Sequence, residues 1–358
     1  MSAVVDRSAN SLGLETADFD YVLPPELIAQ SPLERREDSR LLVLDRNSGT
    51  IFHSTFKNIG DWLAPGDLLV ANNSRVIPAR LRGLRTATGG AIEILLLRGD
   101  SGIWSALAKP AKRIKTGDRL EFAAQVADTD PAIAIVEDNL GAGEIRVRFE
   151  DRADERLELY GEPPLPPYIT QPLLDANRYQ TVYGRVPGSA AAPTAGLHFT
   201  DALIDDLRRV GLEWAELTLH VGLHTFRPVT ESRVADHRIH PEWYEVPVGT
   251  ARAIAACRGR ENRVVAVGTT AARTLETLGE DWRQADPNEL SGFTNTFIIP
   301  GHEWKLVDAL VTNFHLPRST LLMLVSALAG RESILRAYAE AVHRSYRFYT
   351  FGDAMLIR

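Results

Sequence analysis

Between Pro65 and Glu150, apolar and polar positions alternate in short runs: DLLVANN, VIPARLRGL, AIEILLLRG, GIWSALAK, DRLEFAAQVA, AIAIVED and EIRVRFE. Gly, Asp, Asn or Pro separates them, and period-two alternation at this spacing predicts a small all-β barrel or sandwich. Gly141-Ala142-Gly143 invites comparison with a phosphate-binding loop. The segment after it, EIRVRFE, alternates as a strand where such a loop opens a helix, so a hairpin turn is predicted.

After Tyr160 the pattern changes. Beyond the stiff linker GEPPLPPYI, three units of strand, loop and helix follow: LEWAELTLHV running into Gly222, His224 and Thr225, RVVAVG into TTAARTLETL, and VDALVTNF into HLPRSTLLMLVSALAG. Parallel sheets gather ligands beyond the carboxyl ends of their strands, so His220, Thr269, Thr270, Thr312, Asn313 and His315 are expected to converge. The segments FDYVLPPELIAQ and RLLVLD before residue 65 also read as mixed α/β. The expected fold class is therefore α/β: a large domain with a mixed sheet, 19–64 and 156–358, interrupted by an inserted small all-β barrel at 65–155. A flexible tail is expected over 1–18, and no internal repeat is visible.

Size and composition narrow the class. A chain of 358 residues, 44% hydrophobic and 24% charged, has the makings of a globular protein of about two domains. The first eighteen residues lack a basic region followed by an apolar core, and the lone Cys257 fits a reducing compartment, so a cytoplasmic location is expected. The longest apolar run, Thr320 to Gly330, is too short for a bilayer and reads as a core helix. Net charge is -7, but from Val70 to Leu120 ten Lys or Arg face three acids, a local +7 that leaves -14 elsewhere. A basic strip on an acidic protein suits a polyanion docking in one orientation, and a merely solvated barrel face fits the count as well.

Candidate chemistry concentrates in a few places. From Arg178 to Thr200, RYQTVYGRVPGSAAAPTAGLHFT is a long, nearly apolar run in which small residues bring backbone amides, Thr194, Gly196 and His198 together. A run of this kind is expected to surround a ligand, against the plainer reading of a buried connection. In VVAVGTTAARTLETL a strand-to-helix turn offers free N–H groups to a carboxylate or phosphate, with Arg273 one turn inside, although Thr is also a routine helix cap. The histidine pairs His220 with His224 and His237 with His240 suggest zinc. No HExxH or Cys ligand accompanies them, so no metal is expected, and a histidine with a neighbouring carboxylate such as Glu242 suits proton transfer instead. At the C-terminus HRSYRFYTFGDAMLIR interleaves Arg344 and Arg347 with four aromatics. It reads either as a base-stacking surface or as a strand whose aromatic face lies in the core.

With these segments assembled, the chain resembles the S-adenosylmethionine:tRNA ribosyltransferase-isomerase family of queuosine biosynthesis from about Phe19 to the C-terminus. The resemblance rests on PGDLLVANNSRVIPARL, LPPYI, RYQTVYG, AAPTAGLHFT, LTLHVG, HRIHPEWYEV, GTTAARTLE, VTNFHLPRSTLLMLVSA and YRFYTFGDAMLI, in family order. It implies an α/β domain interrupted by a β-barrel, and transfer of the ribosyl portion of S-adenosylmethionine to 7-aminomethyl-7-deazaguanine at the tRNA wobble position. Adenine and methionine leave, epoxyqueuosine-tRNA forms, and S-adenosylmethionine is a consumed substrate, with no separate cofactor. The expected partner is a tRNA with a GUN anticodon, met by a monomer.

The reaction so implied needs a base beside the sulfonium and an acid for departing adenine, and the candidates for proton transfer are His198 and His220, with His240 and Glu242 behind them. S-adenosylmethionine is assigned to Thr194, Gly196, Thr269, Thr270, Arg273, Thr312, Asn313 and His315, the carboxylate falling to Thr269 and Arg273. The tRNA is assigned to Arg75, Arg80, Arg82, Arg85, Lys112, Arg113 and Arg347. Three positions depart from the commonest family pattern: Asn73 where Asp is frequent, His224 where Gly is usual, and Asn295 where Asp is common. Rival readings are an S-adenosylmethionine-dependent RNA methyltransferase, which lacks its usual Gly-rich loop here, and a noncatalytic tRNA-binding paralogue.

Overall fold

The computed structural model describes residues 13–100, 102–222, 229–279 and 290–358. It divides into two compact units, one made of the chain up to Ser74 with Pro167–Val186 and Pro193–Arg358, the other of Arg75–Pro166 with Pro187–Ala192.

The larger unit is built on a nine-stranded mixed sheet. Its strands are β1 (Arg40–Leu44), β2 (Ile51–Thr55), β3 (Leu68–Asn72), β4 (Glu213–Leu219), β5 (Glu242–Glu245), β6 (Val264–Val267), β7 (Ser291–Thr294), β8 (Ala309–Asn313) and β9 (Ala354–Ile357). They lie in the order β7-β5-β4-β3-β6-β8-β9-β1-β2. The four central strands β4, β3, β6 and β8 are mutually parallel, and β3, β6 and β8 are buried along their whole length. Continuous runs such as LLVAN and VVAV need no polar alternation because both faces are covered. Among the described residues this unit has five α-helices: α1 (Asp201–Arg209), α2 (Val248–Gly259), α3 (Thr269–Leu278), α4 (Thr320–Ala329) and α5 (Arg331–His343). Leu203, Ile204 and Leu207 of α1 share a core with Leu69, Val265, Val311 and Leu356 of the sheet. Thr200 and Ser319 cap α1 and α4, accepting from the N–H groups of Leu203 and Leu322.

In the second unit six antiparallel strands close into a barrel in the order Arg80–Arg85, Gly90–Asp100, Ile103–Lys109, Glu144–Phe149, Ala132–Gly141 and Arg119–Phe122, the last pairing back onto the first. Leu81, Ile94, Ala106, Leu120, Val136 and Val147 fill it. Gly141-Ala142-Gly143 is the hairpin turn between two barrel strands.

Three boundaries differ from the sequence expectation. The segment assigned to the start of the barrel, DLLVANN, forms β3 at the centre of the large sheet, because a fully apolar strand is stable only with both faces buried. Residues 156–166 and Pro187–Ala192, expected in the α/β domain, count with the barrel unit. The expected tail is tied down over its last residues: Thr16–Phe19 forms a 3₁₀ turn, and the Thr16 N–H donates to the Ser232 carbonyl. The C-terminal aromatic segment is also not a strand until Ala354; Tyr346, Phe348 and Phe351 are buried in a looped chain instead. Among the described residues no helix is long and apolar enough to cross a membrane.

Candidate active site

Since β4, β3, β6 and β8 run parallel, all four end on one edge of the sheet. β9 is antiparallel to β8 and β1 is parallel to β9, so both begin on that edge. The edge therefore gathers His220, Asn72, Gly268 and Asn313 from strand ends, and Ser39 and Asp353 from strand starts.

His198 sits here on the 3₁₀ turn Thr194–His198, buried against the Phe56 ring. Asn313 Nδ2 lies 3.1 Å from its Nε2 and also donates to the Tyr349 carbonyl at 3.2 Å. The carbonyl requires a donor, which identifies that amide atom as nitrogen and makes His198 Nε2 an acceptor. The ring proton is then on Nδ1, donated to Ser39 Oγ at 2.8 Å. Burial, with Arg347 and Arg36 nearby, pushes the His198 pKa down to about 3, so the ring is neutral at neutral pH.

A cleft of about 360 Å³ opens beside Asn313, lined by Thr194, Tyr168, His315, Ser319 and Tyr349 among others. Asn313 Oδ1 is buried and has no hydrogen-bond partner, a condition that costs about 1–3 kcal/mol unless a ligand supplies a donor. His315 holds Thr312 Oγ1 at 2.7 Å through Nε2, and burial lowers its pKa to about 3. Tyr168 and Tyr349 form an aromatic wall with centroids 4.9 Å apart, and the Tyr168 hydroxyl is 2.8 Å from Thr350 Oγ1. Tyr349 adopts φ 69°, a left-handed conformation unusual for a bulky residue. Strain of this kind concentrates at binding sites, and this residue directs its carbonyl to Asn313.

At the other end of the edge, His220 Nδ1 is 2.8 Å from Ser74 Oγ and its ring stacks on Trp243. Burial lowers its pKa, which keeps it neutral, and no partner is seen for Nε2 among the described residues. Between the two ends, α3 begins at Gly268 without a side-chain cap. Thr270 Oγ1 accepts from Asn72 Nδ2 at 3.2 Å, while Asn72 Oδ1 accepts from the backbone of Leu219 and Ser74. Three strand spacings of about 4.8 Å, roughly 14 Å, separate the ends of β4 and β8.

The structure thus brings together His198, Asn313, Thr312, His315 and Thr194, and along the same edge His220, Thr269 and Thr270. It corrects two expectations. Glu242, assigned to proton transfer, is instead paired in the interior with Arg273. Glu242 Oε1 also accepts from the Gly222 N–H at 2.7 Å, so it is an unsuitable mobile base. Arg273 donates to the Thr296 carbonyl and keeps one buried, unpartnered group, Nη2. Gly196 is small for packing: a Cβ there would lie 2.0 Å from the Tyr183 hydroxyl. His240 is exposed ahead of β5.

Part of the barrel's basic strip is neutralised within its own unit. Arg80 and Arg82 pair with Glu93, Arg82 also with Glu162, and Arg85 with Asp118. Lys112 and Arg113 are exposed, and Arg75 is likewise on the surface. Asn73 points inward: its Oδ1 accepts from the Thr218 hydroxyl at 2.8 Å and its Nδ2 faces Glu216. A carboxylate at position 73 would repel Glu216. Asn295 is exposed, and His224 lies outside the described residues. Residues missed from the sequence include Ser39, Tyr168 and Arg36. They lie on irregular segments, where no periodicity marks them.

A family model described as queuosine biosynthesis protein matches residues 16–357. A Staphylococcus haemolyticus protein named S-adenosylmethionine:tRNA ribosyltransferase-isomerase is 50% identical over 345 residues, 96% of this chain and 100% of that protein. One of the same name from Caldanaerobacter subterraneus subsp. tengcongensis is 49% identical over 350 residues, again covering 96% and 100%. A crystal structure of S-adenosylmethionine tRNA ribosyltransferase from Thermotoga maritima aligns with a TM-score of 0.55 and 44% identity, covering 95% of this chain and 100% of that one.

Proposed function

Because the chain belongs to the queuosine biosynthesis protein family, we propose that it transfers and isomerises the ribosyl portion of S-adenosylmethionine onto 7-aminomethyl-7-deazaguanine at the wobble position of a tRNA. The tRNA is one with a GUN anticodon, and the cytoplasm is the compartment that this substrate implies. The products are epoxyqueuosine-tRNA, adenine and methionine. All carbon and oxygen added to the base come from the ribosyl unit and one proton is released, so S-adenosylmethionine is consumed as a substrate and no redox carrier is required.

The unpartnered Oδ1 of Asn313 carries the assignment of the nucleoside. An adenine amino group is a donor of the kind that this acceptor lacks, and the Tyr168–Tyr349 wall offers a surface for the ring. With adenine at the end of β8, the rest of the molecule extends along the edge past Gly268. There the first N–H groups of α3 and the free Nη2 of Arg273 receive the carboxylate. The sulfonium then approaches the end of β4, where His220, neutral and with Nε2 available, takes the proton from the ribose carbon beside sulfur. His198, committed at both ring nitrogens, holds Asn313 in place.

Adenine release from S-adenosylmethionine tests the reading, measured with and without tRNA carrying the aminomethyl-deazaguanine base. Release that depends on this tRNA is expected. Methyl label recovered in the RNA, or no adenine with the modified tRNA present, would overturn it.

A further inference from the structure

Arg36, Arg178 and Arg347 converge on one turn of chain. Arg347 Nη2 donates to the Ser31 carbonyl and Arg178 Nη2 to the Leu33 carbonyl. Arg36 follows on the 3₁₀ turn Arg36–Asp38 and donates to the carbonyls of Gln180 and Asn177, at 2.6 and 2.9 Å. All three guanidinium groups are thus oriented by neutral backbone oxygens. Among the described residues no carboxylate forms an ion pair with any of them. Asp353, whose charge favours the protonated form of Arg347, accepts from Arg40 Nε at 3.1 Å and from the N–H groups of Arg40 and Arg347. Arg178 Nε and Arg347 Nη1 are buried without any acceptor.

Two of the guanidinium groups, those of Arg36 and Arg178, line a cleft of about 310 Å³ together with Ser39, His198, Thr350 and Gly352. Gly352 keeps the wall thin, since a Cβ there would lie 2.5 Å from the Arg347 carbonyl oxygen. Burial lowers the pKa of Arg36 and of Arg347, and Arg178 lowers that of Arg36 further. Asp175, Asp201 and Asp353 act on Arg36 and Arg347 only at a distance, and a cluster oriented by carbonyls with buried N–H groups still unpartnered is suited to an anion that arrives from outside.

We propose that Arg36, Arg178 and Arg347 seat a backbone phosphate of the RNA substrate beside His198, where the cleft joins the catalytic edge. This rests on the tRNA-modifying reading above. Charge selects the occupant: S-adenosylmethionine has a net positive charge from its sulfonium and ammonium groups, which three unpaired guanidinium groups repel. A phosphodiester is negative, and it accepts the paired N–H geometry of arginine. The contrast with the barrel strip is direct, since Arg80, Arg82 and Arg85 already have carboxylate partners. The phosphate anchor therefore lies in the unit that carries the chemistry, and the barrel arginines contribute mainly longer-range attraction.

The test compares wild type with the double substitutions Arg178→Gln/Arg347→Gln and Arg178→Lys/Arg347→Lys. The dissociation constant for tRNA is measured across KCl concentrations, and that for S-adenosylmethionine is measured without tRNA. The Gln pair should weaken tRNA binding about tenfold or more and flatten the log–log salt dependence by about 0.7 for each phosphate that is no longer neutralised. S-adenosylmethionine affinity should stay within about twofold of wild type. The Lys pair keeps the charge and should retain the slope with weaker affinity. If thermal denaturation shows that the Gln pair does not fold, Arg347→Gln alone should show about half the slope change. Weakened S-adenosylmethionine binding with unchanged tRNA binding would make the cluster a carboxylate site and overturn the proposal, as would an unchanged salt slope. Adenine release by the wild type is assayed separately, so loss of the enzymatic reading is distinguishable from loss of this one.

Discussion

At the residue scale, the site depends on neutral histidines held in fixed tautomers. His198 and His315 are buried, each with a pKa pushed down to about 3, against about 6.5 in an unfolded chain. A depressed histidine pKa means that the unfolded state binds protons that the native state refuses. The stability contributed by the neutral form is fully present above pH 6.5 and is lost as pH falls from there toward 3. At pH 5 the loss is about 2 kcal/mol for each histidine. Urea denaturation at pH 7 and pH 5 should therefore show a loss that His315→Gln reduces by about that amount. An identical pH dependence in the variant would mean that His315 takes up a proton in the folded protein. Several of these residues were legible in the sequence: strand-end polar groups such as Asn313 and His315 stand out because a buried strand rarely ends in unpaired polar side chains. Arg36 and Ser39 were not, since each is brought to the site by a turn with no periodic pattern.

At the element scale, the turn carrying His198 owes its shape to Gly196. A Cβ at that position would meet the Tyr183 hydroxyl at 2.0 Å and Thr181 Cγ2 at 2.8 Å, and Tyr183 is packed edge-on against Trp214. Gly196→Ala should cost about 1–3 kcal/mol through overpacking. The Tyr183 hydroxyl is buried with no hydrogen-bond partner, so Tyr183→Phe alone should be close to neutral. In the Tyr183→Phe background the same alanine should cost clearly less, a coupling read from a double-mutant cycle of urea midpoints. Additive effects would separate the glycine from the tyrosine. The sequence marks this block as special, but it assigns the small residue to a ligand when its neighbour is an aromatic ring. Strand and helix units with strong periodicity, such as RVVAVG followed by TTAARTLETL, are legible because local pattern and burial agree. DLLVANN is misassigned because a short apolar run carries no information about which sheet it joins, and the C-terminal aromatic segment because a buried loop is as apolar as a strand.

At the scale of the whole molecule, the division into an α/β unit and a closed barrel follows from two incompatible textures in one chain, and the sequence shows both. Charge is less transparent. A count of basic residues places the polyanion site on the barrel, whereas ion pairing within that unit leaves unneutralised arginines on the catalytic edge. Only the arrangement in space distinguishes a paired charge from a free one. On the proposed function, this edge holds the sulfonium nucleoside, with adenine at the end of β8 and the sulfonium toward the end of β4. A crystal structure with an unreactive S-adenosylmethionine analogue tests it most directly. The adenine amino group should donate to Asn313 Oδ1 with its ring against Tyr168 and Tyr349, and the ribose should lie toward His220. Electron density for the nucleoside elsewhere, with Asn313 Oδ1 still unpartnered, would contradict the account.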